Sequence, residues 1–491
     1  MANPKTPVLV GIAQVLQRTD DLDAAKEPLE LMVDAVERAA KDAGSGELLT
    51  RASSVRVIRG IWKYRDPGRV VAERVGCPGA QTAITPFGGN YVQTTVSLSC
   101  LDIQAGRQDI VVVAGGECGR TQSRIKKAGR PFDWQEAPGT PDLQIGDDLE
   151  MGHPAEMARG IRAPIQMYPV FENALRYERG ESIEAHRRRI AELWAGFSEV
   201  ASRNPHAWIR ERKTAAEIAD ADAPGNRAVS FPYPMLMNSN SRVDMGAALI
   251  LTSEETARGL GIPREKWVYP HAGTDAHDHN FVSERVDLHS SPAIRLAGRR
   301  CLELAGVTPE ELAYQDVYSC FPSAVQVAAN ELELDRSKPL TVTGGLTFGG
   351  GPMNDYVMHG IARMAELLRE APGEKGLCTA NGGFLTKHAF GVYSTAPPES
   401  PFRHADLQTE VDALPKREAV VDHDGEVTIE SYTVMYEGGT PAVGHAACLL
   451  PDGRRTWANV SDREVAAAMT REEFCGRSGR IDGAGHLTIG G

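Results

Sequence analysis

An internal duplication limits the possible folds of this chain more than any other feature of its sequence. Apolar residues at helical spacing in 29–40 predict an amphipathic helix, which an Ala-Gly pair stops before an apolar strand at 55–61. A second predicted helix at 292–304 is stopped by another Ala-Gly pair, and a strand follows at 316–320. The two units match in order and in spacing.

A second helix-and-strand unit is also repeated. Gly88-Gly89-Asn90 opens a helix that runs to Gln104, and Gly350-Gly351-Pro352 opens a helix in the second half. The strands that follow, 109–114 and 376–380, each run into a Gly-Gly turn. Strands alternating with helices indicate parallel sheets covered by helices. We therefore predict an α/β core of two pseudo-symmetric βαβαβ halves, with both helix starts and both glycine turns close together.

A long, charged and Pro-rich segment separates the two halves. It contains one clear amphipathic helix around 190–201, and we expect it to lie over a pocket. An apolar strand after residue 238 rejoins the core. We assign 1–119 and 234–262 to the N-terminal half, 120–233 to an inserted loop domain, and 263–396 to the C-terminal half.

The chain changes character after a Pro-rich linker at 396–401, and short strands replace the long alternation. Asp424-Gly425 and Asp452-Gly453 are typical hairpin turns, and Ser461 with Glu464 forms a capping box for a short helix. We predict a small C-terminal β-barrel-like domain over 402–491, OB-like in type. Its predicted strands span 427–436, 445–450 and 456–460.

Charge and cysteine usage exclude several classes of protein. A net charge of −13 argues against nucleic-acid binding, which requires a basic surface. The eight cysteines form no CxxC pair, which favours buried thiols over a disulfide framework or a zinc site. The start of the chain lacks the pattern of a signal peptide, and no stretch is apolar enough to span a membrane. We expect a cytoplasmic protein without membrane insertion.

Residues 5–395 resemble the thiolase superfamily, above all sterol-carrier-type thiolases and acetyl-CoA acetyltransferase-like proteins with an added C-terminal domain. The resemblance implies a layered α/β/α/β/α core, acyl-CoA or CoA as substrate or ligand without a permanent cofactor, and a monomer or a homodimer. It also implies acyl transfer in lipid metabolism. The motifs that carry it are 103–106, 112–117, 238–252, 344–346 and the glycine turn before His388.

The same resemblance shows that the reacting side chains of a thiolase are missing. The motif of the nucleophilic cysteine falls on Gly89-Asn90-Tyr91, and the Gly-His-Pro motif falls on Gly350-Gly351-Pro352. Tyr318-Ser319-Cys320-Phe321 replaces the first residue of a third motif with a phenol, and Asn381-Gly382-Gly383 lacks the second catalytic cysteine. Thiolase chemistry needs an activated thiolate and donors for the thioester oxygen, so standard thiolase activity is not expected.

Three side chains remain as catalytic candidates: His388 as a base or oxygen ligand, Tyr318 as a hydrogen-bond donor, and Cys320 as a thiol. Each has a plain structural alternative as a packed core residue. The backbone amides at Gly89 and Gly383 still suit an oxyanion hole, and glycine in place of Cys and His predicts an enlarged pocket. The predicted pocket residues are Gly89, Asn90, Gly351, Asn381, Gly382 and Gly383.

Two further motifs have competing interpretations. His277-Asp278-His279 has no third ligand, so we predict a polar loop and no metal. The basic run 186–189 is either a solvated helix face or a contact for the phosphates of coenzyme A.

The sequence thus leaves two functions open. The first is an acyltransferase acting on acyl-CoA with non-standard residues. The alternative is a non-catalytic scaffold that binds a CoA thioester or lipid and presents its C-terminal β domain to a partner.

Overall fold

The first half of the core is one mixed sheet with helices on both faces. The structure, a computed structural model, describes residues 3–489. In spatial order the strands are β1 (Pro7–Leu16), β8 (Asp244–Ser253), β4 (Ile110–Cys118), β2 (Ser54–Val57), β3 (Gln81–Ile84) and β5 (Leu143–Gln144). Strand β8 pairs antiparallel with both β1 and β4. The elements up to the end of the fourth strand are β1 (Pro7–Leu16), α1 (Pro28–Ala43), α2 (Glu47–Thr50), β2 (Ser54–Val57), α3 (Pro67–Val75), β3 (Gln81–Ile84), α4 (Tyr91–Gln104) and β4 (Ile110–Cys118).

The inserted segment is mainly helical. Its short strand β5 pairs with β3, so the edge of the first sheet is covered by the chain itself. Its elements are α5 (Gly119–Lys127), β5 (Leu143–Gln144), α6 (Pro154–Ala158), α7 (Pro164–Glu178), α8 (Ile183–Arg203), α9 (Ala215–Ala219), β6 (Ala228–Ser230) and β7 (Tyr233–Pro234).

The second half repeats the first around a sheet of order β10-β11-β12-β9-β13. Before it, β8 (Asp244–Ser253) and α10 (Glu254–Gly259) complete the first half. The elements of the second half, with the strand and helix that complete its sheet, are β9 (Tyr269–His277), α11 (Pro292–Ala305), β10 (Leu312–Asp316), α12 (Pro322–Glu331), α13 (Gly345–Phe348), α14 (Tyr356–Glu370), β11 (Lys375–Gly382), β12 (Lys387–Ser394), β13 (Arg403–Asp406) and α15 (Gln408–Asp412).

The predicted layering and duplication are confirmed. Helices α4 and α14 lie between the two sheets and contact strands of both. Helices α1 and α3 cover the outer face of the first sheet, and α11 covers the second and packs against α12. The two repeated helices α1 and α11 also begin and end in the same way. Each has Pro in its first turn and ends at a glycine in the left-handed conformation, Gly44 (φ 80°) or Gly306 (φ 65°).

Three local predictions were wrong. The strand expected at 316–320 lies four residues earlier, at Leu312–Asp316. Residues 317–321 form the connection that leads into α12. The helix expected to open at Pro352 begins at Tyr356, after a short 3-10 turn. The last helix is capped by Asp462 and not by Ser461 as predicted. The Asp462 carboxylate accepts from two backbone amides, those of Glu464 and Val465.

The C-terminal sheet has the order β16-β15-β14-β17-β18. The Asp452-Gly453 turn joins two antiparallel strands as predicted, but Asp424-Gly425 only precedes β14, and the β14–β15 hairpin turns at Gly438-Gly439. The inserted strand β6 pairs with β14, so the insertion and this domain share one sheet. The elements are β14 (Gly425–Glu437), β15 (Thr440–Leu449), β16 (Arg455–Val460), α16 (Arg463–Met469), β17 (Ser478–Ile481) and β18 (Leu487–Ile489).

Among residues 3–489, no helix combines the length and the apolarity that crossing a membrane requires.

Candidate functional site

Gly89 stands at the start of α4, at the position predicted for the lost nucleophile. A Cβ atom there would lie 2.6 Å from the carbonyl oxygen of Asn381 and 2.8 Å from the hydroxyl oxygen of Tyr318. Contacts below 3.0 Å require the neighbours to move, and one of these neighbours is backbone. The position is therefore closed to any side chain, cysteine included.

Gly351 shows the same closure at the pseudo-symmetric position. A Cβ there would collide with the hydroxyl of Ser239 and come within 3.2 Å of the carbonyl oxygen of Leu346. Its neighbour Gly350 has a φ of 113°, a conformation that residues with side chains rarely adopt. The local packing thus leaves no room for a side chain at this position.

The enlarged pocket predicted from these glycines is not present. A buried cavity of about 10 Å³ remains, lined among others by Tyr318, Asn381 and His388. This is the space of about one water molecule. The prediction was wrong because neighbouring groups occupy the space beside both glycines: the Asn381 carbonyl and Tyr318 at Gly89, and the Ser239 hydroxyl and Leu346 carbonyl at Gly351.

Tyr168 on α7 closes the centre from the side of the insertion. Its hydroxyl donates to the carbonyl of Gly383 (3.0 Å) and accepts from Asn381 Nδ2 (2.9 Å) and from the backbone amide of Leu385 (2.8 Å). Its ring stacks on Phe321, with centroids 4.6 Å apart. Sequence reasoning missed this residue, because an inserted helix gives no signal of where it docks.

Cys320 lies next to this cluster and is buried. Its sulfur is 3.8 Å from Asn381 Nδ2, the donor of a weak hydrogen bond. Burial raises the pKa of the Cys320 thiol to about 12. A thiol in this state is not the activated thiolate that acyl transfer requires.

His388 forms a buried pair with Asp278, whose carboxylate oxygen lies 3.3 Å from its Nε2. Burial lowers the pKa of His388, so the imidazole is neutral near pH 7. Burial alone would raise the pKa of Asp278, but the Arg285 guanidinium, His388 and Ser291 together lower it to about 2. The structure therefore places a neutral histidine beside a carboxylate at the small cavity.

Asn90 and the two glycines of the turn lie against each other rather than around a ligand. A Cβ on Gly382 would lie 2.5 Å from Asn90 Oδ1 and 3.2 Å from the Cα of Gly88. The buried ammonium of Lys387 donates to the carbonyl of Phe87 (2.7 Å) and lies near the Tyr91 ring. Burial lowers the pKa of Lys387. Of the predicted pocket residues, Gly89 thus lies against Asn381 and Asn90 lies against Gly382, whereas Gly351 lies against Ser239, Asn240 and Leu346.

The comparison with a known crystal structure decides the family. The chain matches a monomeric SCP2-thiolase-like protein type 1 from Mycobacterium smegmatis with a TM-score of 0.85 and 30% identity, over 100% of both chains. The chain belongs to the type 1 SCP2-thiolase-like proteins. Residues 406–486 of this thiolase-like protein match the family described as the thiolase-like protein type 1 additional C-terminal domain. The predicted resemblance is confirmed.

Two more distant relatives agree with the fold. The thiolase-like protein is 24% identical over 313 residues to an acetyl-CoA acetyltransferase of Methanothermobacter thermautotrophicus, which covers 60% of this chain and 73% of the relative. It also matches an acetyl-CoA acetyltransferase from Syntrophomonas wolfei, with a TM-score of 0.55 and 17% identity over 79% of this chain and 99% of that chain. These likenesses place the protein on the thiolase fold.

The thiolase-like protein has no group of three metal-ligating side chains among residues 3–489. In the sequence 277–279, His277 Nδ1 and His279 Nε2 each contact a backbone carbonyl, at 2.8 Å and 3.2 Å. Asp278 points to His388, so these three residues do not share a face.

The basic residues 186–189 on α8 of the thiolase-like protein do not all lie in the same environment. His186 is buried between Glu172 (2.6 Å) and Glu181 (2.7 Å), so the interpretation as one solvated face was wrong for this residue. Arg187 and Arg188 instead line an open groove of about 590 Å³, which the C-terminal domain completes with Arg471.

Proposed function

We propose that this protein is a non-catalytic member of the thiolase superfamily that binds CoA species without thiolysis or condensation. The closure of the Gly89 position carries the proposal, because the Asn381 carbonyl and the Tyr318 hydroxyl occupy the place of a nucleophile's side chain. A site of this kind has no room for a reacting acyl group. A role in lipid metabolism and a cytoplasmic location belong to the same proposal.

The remaining candidates support the absence of turnover. Cys320 is a buried thiol with a raised pKa, and no thiolate is available near neutral pH. The hydroxyl of Tyr168 already holds the carbonyl and amide groups of the glycine turn at Gly383 and Leu385. The Leu385 amide, which donates to this hydroxyl, is therefore not free to donate to a thioester oxygen.

The groove at Arg187, Arg188 and Arg471 supports CoA binding. Arg188 has only a surface contact with Glu184 at 3.4 Å, and both side chains are largely exposed. Exposed arginines around a groove suit phosphate groups, because guanidinium donors match phosphate oxygens in pairs. We assign the phosphate end of CoA to this groove.

The acyltransferase interpretation has one observation in its favour, the His388–Asp278 pair at the small cavity. A carboxylate that orients a neutral imidazole is a common arrangement for a general base. The cavity of about 10 Å³ gives that base no substrate. We therefore rank acyl transfer below binding.

The experiment separates turnover from binding. The full chain is incubated with acetyl-CoA and with acetoacetyl-CoA, and free thiol release and protein mass are followed. We expect neither thiol release nor an adduct. Thiol release above the uncatalysed rate, abolished by His388→Gln, would refute the non-catalytic proposal in favour of acyl transfer.

Calorimetric titration with CoA tests the binding part. We expect saturable binding that weakens as salt is raised and that Arg187→Glu with Arg471→Glu reduces by ~10-fold or more. Arg242→Glu, which changes an exposed arginine outside the groove, is the matched control and should leave the affinity unchanged. A protein that shows no heat of binding for CoA, or equal losses in both variants, would contradict the assignment.

A further inference from the structure

A second groove lies away from the closed centre, where the loop after β2 faces helix α5 and the inserted segment 132–138. Its volume is about 780 Å³, within the range of small-molecule sites. None of its lining residues lines the cavity at Tyr318 and His388. The groove is therefore separate from the ancestral catalytic position.

Aromatic side chains form two walls of this groove. Trp62 and Tyr64 are buried and stand 5.0 Å apart, and Phe132 and Trp134 face them from the insertion at 5.4 Å from each other. Phe132 is 44% exposed and Ile61, which also lines the groove, is 52% exposed, so the groove presents apolar surface to solvent. Such walls suit a flat ring system, which can stack on aromatic faces.

The backbone fixes the inserted wall onto the core. The carbonyl of Ala137 accepts from the amides of Arg65 (2.9 Å) and Asp66 (3.1 Å). The buried carboxylate of Glu27 accepts from the amide of Gln135 (3.0 Å) and from the hydroxyl of Tyr64 (2.8 Å). These hydrogen bonds of Glu27 and Ala137 tie the inserted wall to the core wall, so the groove does not need a ligand in order to form.

Three cationic side chains and one carboxylate, Glu136, line the groove. Lys63, Arg65 and Lys126 line the groove, and within residues 3–489 none of them has a carboxylate at ion-pair distance. The neighbouring Arg124 and Arg130, by contrast, are paired with Asp20 and Asp23. Three free cations in a protein of net charge −13 mark a place suited to an anion.

We propose that this groove is a binding site for a flat organic anion, a mainly apolar ring system that carries one acidic group. The ring packs on Trp134 and Phe132, and the acidic group meets Lys126, Lys63 or Arg65. Gln122 and Gln135, which also line the groove, supply uncharged hydrogen-bonding groups for orientation. This ligand is additional to the CoA species of the proposed function.

The fluorescent anion 8-anilinonaphthalene-1-sulfonate is a suitable probe, used with the full-length chain. We expect saturable binding of one molecule per chain, displaced by naphthalene-2-carboxylate more strongly than by the neutral naphthalene-2-carboxamide. Lys126→Glu should weaken the carboxylate by ~10-fold and leave the carboxamide within ~2-fold, because only the carboxylate contacts the cation. Lys127→Glu changes the next residue, which does not line the groove, and should have little effect.

Trp134→Ala tests the ring contact, and Trp208→Ala is its control, since both tryptophans are partly exposed and only Trp134 lines the groove. We expect a ~5-fold or greater loss of both naphthalene ligands in Trp134→Ala alone. Multiple weak sites, equal effects in the paired variants, or displacement of the probe by CoA would overturn the proposal. Self-association that depends on Trp134, without saturable probe binding, would overturn it in favour of an interface between two copies.

Discussion

At Gly89 a hydrogen atom in place of a side chain lets helix α4 approach the Asn381 carbonyl and the Tyr318 ring. A hypothetical Cβ at this position would lie 2.6 and 2.8 Å from these groups, so the start of the helix is too close to them to carry a cysteine side chain. The glycine and the closed space beside it are one packing arrangement. Restoring the cysteine alone does not restore a site.

The variant Gly89→Cys tests this arrangement. We expect a loss of about 1–3 kcal/mol in the free energy of unfolding, because the new side chain overpacks a closed centre. No thiolysis of acetoacetyl-CoA should appear. Chemical denaturation and thiol release measure the two effects.

Gly196→Ala is the control for that substitution. Gly196 lies within α8 with nothing within 4 Å of its hypothetical Cβ, so alanine should stabilise the protein by about 0.5–1 kcal/mol. If Gly89→Cys were as stable as the unmodified protein, the centre would be more open than the packing indicates.

A single buried carboxyl also gives the stability of the protein a pH dependence. Burial raises the pKa of Glu117 from 4.5 to about 8, although its carboxylate accepts from the Ile61 amide. The native state therefore keeps a proton that the unfolded state releases, and stability falls as pH rises from about 4.5 to about 8. One such group contributes a slope of at most about 1.4 kcal/mol per pH unit.

Glu117→Gln should remove that slope, because glutamine keeps the acceptor oxygen and does not titrate. Urea denaturation at several pH values between 5 and 8 measures the difference from the unmodified protein. Glu192→Gln, at an exposed position on α8, should leave the slope unchanged. Parallel pH profiles for the Glu117 variant and the unmodified protein would contradict the assignment of the slope to this residue.

Helix α7 is the element that seals the centre, and Tyr168 makes its contacts. Tyr168→Phe removes the group that serves the Gly383 carbonyl, Asn381 Nδ2 and the Leu385 amide. We expect a loss of about 2 kcal/mol in the free energy of unfolding, since buried polar groups lose their partner. Chemical denaturation measures it.

Tyr177→Phe on the same helix provides the comparison. Tyr177 is 48% exposed, so removal of its hydroxyl should change stability by less than about 0.5 kcal/mol. Equal effects of the two substitutions would show that the Tyr168 hydroxyl does not hold the glycine turn.

At the scale of elements, the sequence contained most of the core and little of how the centre is filled. The helices α1, α4 and α11 were predictable because apolar spacing and glycine stops are local signals. The strand β10 was misplaced because the apolar residues 317–321 continue past its end, and hydrophobicity alone does not separate a buried strand from a buried connection.

The centre itself shows why the rest could not be predicted. Glycines at 89 and 351 could be identified from their motifs. Whether the space beside them is empty or filled depends on side chains that are distant in the sequence and pack against it. Tyr168 lies in the insertion, more than two hundred residues before the turn that it contacts. A contact of that separation has no local pattern, so the sequence could suggest an enlarged pocket where the structure has almost none.

At the scale of the whole molecule, the insertion, the core and the C-terminal sheet are joined by buried arginines. Arg159 from the insertion donates to the carbonyls of Trp457 (3.1 Å) and Ala484 (2.9 Å). Arg176 on α7 forms a bidentate salt bridge with Glu473, in which its two terminal nitrogens lie 2.5 and 2.8 Å from the carboxylate oxygens. These bonds make the C-terminal sheet a continuation of the insertion, so we do not expect it to unfold by itself.

Arg455 provides the strictest test of that cooperativity. It is fully buried, pairs with Glu430 through two bonds of 2.6 Å, and donates to the carbonyls of Ser283 (2.9 Å) and Arg285 (2.5 Å) in the core. Arg455→Met leaves a partly buried carboxylate and several carbonyls without a donor, so about 3–5 kcal/mol of stability should be lost. Arg454→Met removes only surface pairs and should cost less than about 0.5 kcal/mol.

Calorimetry of both variants distinguishes a joined molecule from two independent ones. Because the Arg455 guanidinium contacts both the C-terminal sheet and the core segment 283–285, its loss should lower a single unfolding transition without dividing it. If Arg455→Met instead produced an early transition of the C-terminal sheet and left the core transition at its original temperature, the two parts would be independent. The shared sheet of β6 and β14 argues against that result, since unfolding of one strand removes the partner of the other.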